Sequence, residues 1–156
     1  AYIAGNMLAA MGIVGLIGVI LSGGWGDRSG PIAPAIASFV ARVAVFGLVA
    51  VDQSPLSVMI FAMVFGVTFL ATAPLTVLFI RDSFGTRNLG AIGGLITMIH
   101  HMCGGLGAYL GAAVFDSTGA YDVVFIIMCV ASLVAALFTF ALSRAGPADP
   151  SLAASR

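Results

Sequence analysis

The segment 21–32, LSGGWGDRSGPI, is a short polar, glycine-rich turn between two long apolar runs. The run before it occupies residues 1–21, and the run after it occupies residues 32–51. An α-helix needs about 20 apolar residues to cross the hydrocarbon core of a bilayer. Both runs reach that length, so the segment is predicted to join two membrane-spanning helices.

The boundary between these two helices follows from the composition of the segment. Its glycines are Gly23, Gly24, Gly26 and Gly30. Glycine is a poor helix former, and Pro31 lacks a backbone N–H. We therefore expect the first helix to end near Leu21 and the second helix to begin at Ile32.

The same alternation of apolar runs and short turns continues along the chain. Three further runs of sufficient length occupy residues 56–80, 89–115 and 122–142. Ser54 followed by Pro55 is typical of a helix N-cap with proline in the first turn, and Pro74 falls inside the third predicted helix. The sequence thus predicts an all-α integral membrane protein, with a bundle of five transmembrane helices in residues 1–144 and a polar cytoplasmic tail in residues 145–156.

The overall composition excludes a soluble domain. Hydrophobic residues make up 61% of the chain and charged residues 8%, with no Lys or Glu, whereas about a quarter of the residues of soluble domains are charged. The apolar surface is therefore expected to face lipid. A net charge of zero and the lack of a basic stripe also argue against a nucleic-acid partner.

The arginines set the expected orientation in the membrane. With five spans, one side of the membrane carries Arg28, Arg81, Arg87, Arg144 and Arg156. The turns on the other side carry Asp52, Asp116 and Asp122. Basic residues mark the cytoplasmic side, so we predict a multi-pass protein of the plasma or inner membrane with its C-terminus in the cytoplasm. An odd number of spans with an external start is expected of an incomplete chain that lacks N-terminal helices.

Polar side chains within the predicted spans are candidates for function, because they are costly in hydrocarbon unless they have partners. They are Asn6, Arg42, Thr68, Thr72, Thr97, His100 and His101. Arg42 lies near the middle of the second span, where an arginine costs about 2.5–3.5 kcal/mol on insertion scales. Its guanidinium either pairs with an anionic substrate or bonds to backbone carbonyls or an acidic partner elsewhere.

His100 and His101 lie near the middle of the fourth predicted helix, three and four residues after Thr97. Neighbouring helix residues point about 100° apart, so we expect the two imidazoles to occupy different environments. In a hydrated cavity a histidine can relay protons near neutral pH; otherwise it bonds to a neighbouring helix. A metal site is not expected, because adjacent histidines lack helical ligand spacing and no third ligand is nearby.

Glycines recur on two of the predicted helices. The first helix carries Gly12, Gly15 and Gly18, and the fourth carries Gly93, Gly94, Gly104, Gly105, Gly107 and Gly111. Small residues at such spacings let helices approach closely, and they also leave thin faces that can slide against each other. No nucleophile motif, zinc-protease motif or phosphate-binding loop occurs, so neither an enzyme nor a cofactor is predicted.

Residues 23–30, GGWGDRSG, fit the pattern G-x-x-x-D-R-x-G on the predicted cytoplasmic side. This segment resembles the signature loop of the major facilitator superfamily of transporters, which occurs between helices two and three and again between helices eight and nine. Three more helices follow here, so the resemblance assigns the chain to helices eight to twelve, in the C-terminal half of a twelve-helix fold. Residues 104–111, GGLGAYLG, and 116–121, DSTGAY, resemble the monocarboxylate-porter-like branch.

The resemblance implies a secondary transporter that moves a small solute by alternating access, together with missing N-terminal helices of the same protein. An organic anion as solute and proton coupling through a histidine are further hypotheses. The resemblance assigns Gly23, Asp27, Arg28 and Gly30 to a conformational gate, although Pro31 and Ile32 replace its usual basic pair.

Helices eight, ten and eleven line the cavity in such transporters. This favours His100 or His101, supported by Asn6, Thr68 and Thr97, and it disfavours Arg42 on the peripheral helix nine. The alternative is a membrane-embedded regulatory or assembly subunit without a solute path.

Overall fold

The computed structural model describes residues 2–145, and the side chains of residues 5–144. This part of the chain forms five helices and no strand: α1 Tyr2–Ser29, α2 Ile32–Val51, α3 Pro55–Phe84, α4 Leu89–Thr118 and α5 Asp122–Ala145. All five are long and apolar enough to cross a membrane. The predicted all-α membrane class is confirmed. The predicted tail lies outside the described residues except for Ala145, and Arg156 lies outside them too.

The first helix is longer than predicted. It continues through Gly23, Gly24 and Gly26 to Ser29, so the expected end near Leu21 was wrong. Of these glycines Gly26 is buried, and a Cβ there would meet side-chain carbons of Leu75 and Leu78 on α3. Each glycine costs about 1 kcal/mol of helix propensity, which such packing can outweigh. The chain turns at Gly30 instead, where φ is +80°.

Local signals fix several of the other helix ends. Ser54 is the N-cap of α3, where its Oγ accepts a hydrogen bond from the Ser57 amide at 3.3 Å, and Pro55 occupies the first turn as predicted. The helices α3 and α4 run three to four residues beyond their predicted ends, to glycines with positive φ. These are Gly85 and Gly119, with φ of +74° and +72°.

Glycines bring α1 and α3 into backbone contact. A Cβ on Gly18 would lie 1.9 Å from the carbonyl oxygen of Val67, and one on Gly66 would lie 2.9 Å from that of Met11. A Cβ on Gly15 would likewise crowd Leu70, at 2.8 Å. The predicted close approach is thus confirmed for Gly15 and Gly18. Only glycine leaves room for such a crossing.

The helices α2, α3 and α5 share an aromatic core. The Phe46 ring of α2 lies 5.4 Å from that of Phe61 and 5.6 Å from that of Phe65, both on α3. The Phe61 ring also lies 6.0 Å from that of Phe125 on α5. Edge-to-face and tilted pairs at these separations stabilise packing beyond the area they bury.

The turn between α2 and α3 is held by hydrogen bonds at its surface. Asp52 accepts from the Ser54 amide and hydroxyl, both at 2.9 Å, and from the Ser57 hydroxyl. These bonds, that of Ser57 foremost, lower the pKa of the exposed Asp52 carboxyl below its ordinary 3.8. The Gln53 side-chain amide donates to Asp122 at the start of α5.

The fourth helix packs least. None of its residues is buried, and a Cβ on Gly93 or Gly111 would meet only Ile80 or Val124, at 3.9 Å. The others lie in open space within the described structure: Gly94, Gly104, Gly105 and Gly107. The close packing expected of the glycines of α4 is therefore not present among residues 5–144.

Candidate transport pathway and gate

Arg42 joins the middle of α2 to the middle of α3. Its Nε donates to the Thr68 hydroxyl at 3.3 Å, and its Nη2 donates to the Thr68 backbone carbonyl. The guanidinium carbon also lies 5.4 Å from the centre of the Phe39 ring and 5.8 Å from that of Phe65, within cation–π range. No carboxylate among residues 5–144 pairs with Arg42. The arginine is thus compensated by a backbone carbonyl, a hydroxyl and two rings.

Thr68 is enclosed by the same contacts. Its side chain is 7% exposed, and its hydroxyl also bonds to the carbonyls of Val64 and Phe65, at 3.0 and 3.2 Å. The one polar atom of the side chain, Oγ1, is therefore used both within α3 and by Arg42. The structure brings these two predicted site residues together as one interhelical pair.

His100, His101 and Thr97 are exposed on α4. Nδ1 of His101 lies 2.8 Å from the Thr97 carbonyl oxygen, one turn back along the helix. The two imidazoles meet edge to face, with ring centres 5.7 Å apart, so our expectation of separate environments was wrong. A hydrogen bond from Nδ1–H to the carbonyl would leave Nε2 of His101 as a free acceptor. These groups form a polar site on an otherwise apolar helix.

Asn6 stands apart from these groups. It is exposed near the start of α1 and makes no hydrogen bond within the described residues. The only link between Asn6 and the other candidates in the described structure is therefore its place on α1, a helix that is predicted to line the cavity.

The predicted gate lies mainly on a helix rather than in a loop. Gly23, Asp27 and Arg28 belong to the last two turns of α1, and Gly30 alone supplies the turn. The glycines of the pattern predicted a turn. That prediction failed because the packing of Gly26 against α3, which keeps this segment helical, cannot be seen in the sequence pattern. Arg28 at the end of α1 is favoured by the helix dipole.

A polar pocket of about 510 Å³ lies where α1 and α3 end together. Residues 26–30 line one side of it, and Arg81 and Asp82 of α3 line the other. The Nε of Arg81 lies 3.1 Å from an Asp82 carboxylate oxygen. Asp27 and Arg28 are exposed, and neither makes an ion pair within residues 5–144. Asp27, Arg28 and Gly30 of the predicted gate thus line a charged, open pocket that also holds the Arg81–Asp82 ion pair of α3.

No group of three or more His, Cys, Asp or Glu residues in the described structure could hold a metal ion. The polar residues that the structure does assemble serve helix contacts and a surface pocket.

Comparison with known families identifies the chain. The family model described as Major Facilitator Superfamily matches residues 2–156. The chain belongs to the major facilitator superfamily. Members of this superfamily are transporters, so the predicted transporter class is confirmed at that level. Searches of curated proteins and of solved structures found no match to the chain.

Sequence reasoning missed two residues that line the same pocket as residues 26–30, Arg81 and Asp82. Their signal was available, because Arg81 was already placed on the same side of the membrane as Arg28. Two helices that end on one side and pack against each other bring their last turns together. Of the aromatic partners of Arg42, Phe39 had a signal, because it lies three residues earlier on the same helix. Phe65 had none, since nothing in the sequence pairs it with Arg42.

Proposed function

We propose that this chain forms helices eight to twelve of a secondary transporter that moves a small solute by alternating access. The observation that carries the proposal is the polar site of α4, which exposes two histidines in the middle of an apolar helix. The signature pattern in residues 23–30, at the end of α1 and the turn to α2, supports the assignment to the C-terminal half. A midplane site between two halves is the usual arrangement in such transporters.

The histidines are best explained by a hydrated space beside α4. Polar side chains that face hydrocarbon are expensive, so such residues generally face the interior of a bundle or a water-filled cavity. In this proposal that space lies between α4 and N-terminal helices of the same protein. The open glycine positions on α4 are consistent with further helices packing there.

Proton coupling follows from the chemistry of the same site. An imidazole changes charge near neutral pH, so a cavity-facing histidine can take a proton on one side and release it on the other. We assign this role to His100 or His101, with Thr97 and Asn6 as further polar lining. The likeness of residues 104–121 to monocarboxylate porters makes an organic anion the first solute to test.

In the proposed transport cycle, the protein closes on the cytoplasmic side at the pocket lined by residues 26–30, Arg81 and Asp82, which we call the gate pocket. Asp27, Arg28 and Gly30 line this pocket with the Arg81–Asp82 pair, at the end predicted to face the cytoplasm, and Gly23 lies about one turn before them on α1. Asp27 and Arg28 make no ion pair within residues 5–144, so their charges can bind a facing segment in one state and release it in the other.

A second candidate is a membrane-embedded assembly or regulatory subunit. The open glycines of α4 favour it, since small residues at these spacings also bind partner helices. It differs from the transporter in having no solute path.

The test is uptake by the full-length parent protein in proteoliposomes. Radiolabelled organic acids are offered with and without an inward proton gradient to wild type, His100→Ala and His101→Ala. Met98→Ala is the matched control, because Met98 is 54% exposed on the same helix and has no assigned role. We expect gradient-driven uptake that one histidine substitution lowers at least tenfold while the control retains it.

Two results would count against this function. Wild-type protein that takes up none of the acids, yet copurifies with a partner membrane protein, would favour the assembly subunit. Uptake that neither histidine substitution changes would make the imidazoles packing groups.

A further inference from the structure

The middle of α3 has an irregular set of backbone hydrogen bonds. In an α-helix the carbonyl of residue i accepts from the amide of residue i+4, and Pro74 has no amide N–H to offer to Leu70. On either side of that gap, the Thr72 hydroxyl donates to the Phe69 carbonyl at 2.9 Å, and the Thr76 hydroxyl donates to the Thr72 carbonyl at 2.8 Å. Proline and inserted side chains are the usual causes of helix bending. Residues 70–76 are therefore the weakest part of α3.

Arg42 acts immediately before this weak segment. It bonds to both the hydroxyl and the carbonyl of Thr68, six residues before Pro74. One guanidinium thus fixes a backbone group and a side chain of α3 to the middle of α2. The planar, forked geometry of guanidinium suits it to this double hold.

The two parts of α3 on either side of the weak segment both pack on α1, and they differ in their other neighbours. The anchored part, residues 55–69, also packs through Phe61 and Phe65 onto α2 and α5. The gate-side part, residues 75–84, packs on the end of α1 at Gly26 and carries Arg81 and Asp82, which line the gate pocket.

We propose that Arg42 is a positioning residue that holds the anchored part of α3 against α2, so that bending at Pro74 moves the gate-side part, together with the end of α1 that packs on it, relative to the anchored part. The bonds to Thr68 and the contacts with the two phenylalanine rings fix the orientation of the Arg42 guanidinium, as a positioning role requires. The proposal rests on the proposed transport function for its effect on uptake. Its structural claim, that Arg42 suppresses opening of residues 60–69, stands without transport.

The experiment joins amide hydrogen exchange with uptake kinetics on the full-length parent protein. The variants are Arg42→Met, which keeps an unbranched chain without donors, and Arg42→Lys, which keeps the charge without the fork. Val40→Ala is the control, since Val40 is a 54% exposed residue of the same helix. Loss of a charge-assisted hydrogen bond corresponds to a change of about tenfold or more in a local equilibrium.

We expect Arg42→Met to speed exchange in residues 60–69 about tenfold or more and to leave residues 75–84 as in wild type. Uptake per folded transporter should fall in maximal rate, with KM within about twofold of wild type because the solute site is intact. Arg42→Lys should lie between the two, and Val40→Ala should match wild type. If Arg42→Met does not fold, Arg42→Lys supplies the same comparison.

Three results would overturn the inference. A raised KM with unchanged exchange would make Arg42 a solute ligand. Faster exchange throughout α3 would mean that Arg42 holds the whole helix and that Pro74 does not divide it. Unchanged exchange and uptake would leave Arg42 without a positioning role. Wild-type protein without any uptake would refute the transport function, while the exchange comparison would still decide the role of Arg42.

Discussion

At the scale of single residues, the polar groups of this chain have two different fates. Those in the middle of α2 and α3 form hydrogen bonds within the protein, as Arg42 and Thr68 do. Those on α4 remain exposed, as His100 and His101 show. From the residue types alone, each of these groups could serve either function or packing, because an intramembrane polar residue looks alike whether or not a partner comes within reach.

Asp52 offers a residue-level test through pH. Its hydrogen bonds lower the pKa of the folded state below the ordinary 3.8, so the bonded carboxylate stabilises the fold above that pH. The stabilisation is lost as pH falls through the lowered pKa and the carboxylate is protonated. We expect Asp52→Asn to lower the thermal midpoint at pH 6, and the difference from wild type to shrink below about pH 4.

The matched control for Asp52 is Asp116→Asn, because Asp116 is exposed and makes no hydrogen bond within the described residues. Thermal unfolding of the purified protein at a series of pH values provides the measurement. A difference that grows as the solution becomes more acidic would contradict the assignment.

At the scale of helices, the contacts divide by type. Side-chain hydrogen bonds between separate elements in the described chain join α2, α3, α5 and the turn at Gln53. These include the bonds of Arg42 to Thr68, Gln53 to Asp122, Ser57 to Asp52 and Cys129 to the Val43 carbonyl. By contrast, α1 and α4 meet their neighbours through apolar and backbone contacts. Polar bonds therefore fix one part of the bundle, and shape complementarity fixes the other.

The crossing of α1 and α3 predicts a strong asymmetry between two glycines of one helix. A Cβ at Gly18 would clash with the Val67 carbonyl, so Gly18→Ala should destabilise the protein by about 1–3 kcal/mol through overpacking. A Cβ at Gly12 would meet nothing within 4 Å. Gly12→Ala should therefore be neutral or stabilise by up to about 1 kcal/mol, the gain in helix propensity.

Thermal or denaturant unfolding of the two variants in the same detergent decides the matter. Equal midpoints for Gly12→Ala and Gly18→Ala would mean that the helices separate without cost. That result would remove glycine packing as the reason for the crossing.

The helix boundaries show which structural features can be predicted from neighbouring residues in the sequence. The bounds predicted for α2 agree with the structure because Pro31 and the Ser54–Pro55 pair are signals within the chain itself. The end of α1 was misjudged because Gly26 is stabilised by Leu75 and Leu78, about 50 residues away in sequence. For the same reason the partner of Arg42 could not be identified, although a backbone carbonyl was one of the alternatives.

At the scale of the whole molecule, arginine placement predicts which ends face the cytoplasm. The ends of α1, α3 and α5 carry Arg28, Arg81 and Arg144 in their last turns. The opposite turns carry Asp52, Asp116 and Asp122 and no arginine. The positive-inside rule therefore puts Thr86 in the cytoplasm and Ser117 outside.

Cysteine labelling of the full-length parent tests this topology. In a background with Cys103→Ser and Cys129→Ser, we expect an impermeant maleimide to label Ser117→Cys in intact cells. It should label Thr86→Cys only in inverted vesicles, since both positions are exposed at the surface. Labelling of Thr86→Cys from outside would reverse the orientation and move the gate pocket to the external face.

The crossing of α1 with α3 also has a consequence for biosynthesis. The chain is made from the N-terminus, so α1 enters the bilayer before its partner exists. Until α3 emerges from the ribosome, the groove formed by Gly15 and Gly18 is open to lipid, and α2 is the only neighbour from the described chain within reach. The nascent protein therefore passes through a stage in which its tightest interface is vacant, and chaperones or lipids of the insertion site would act on it there.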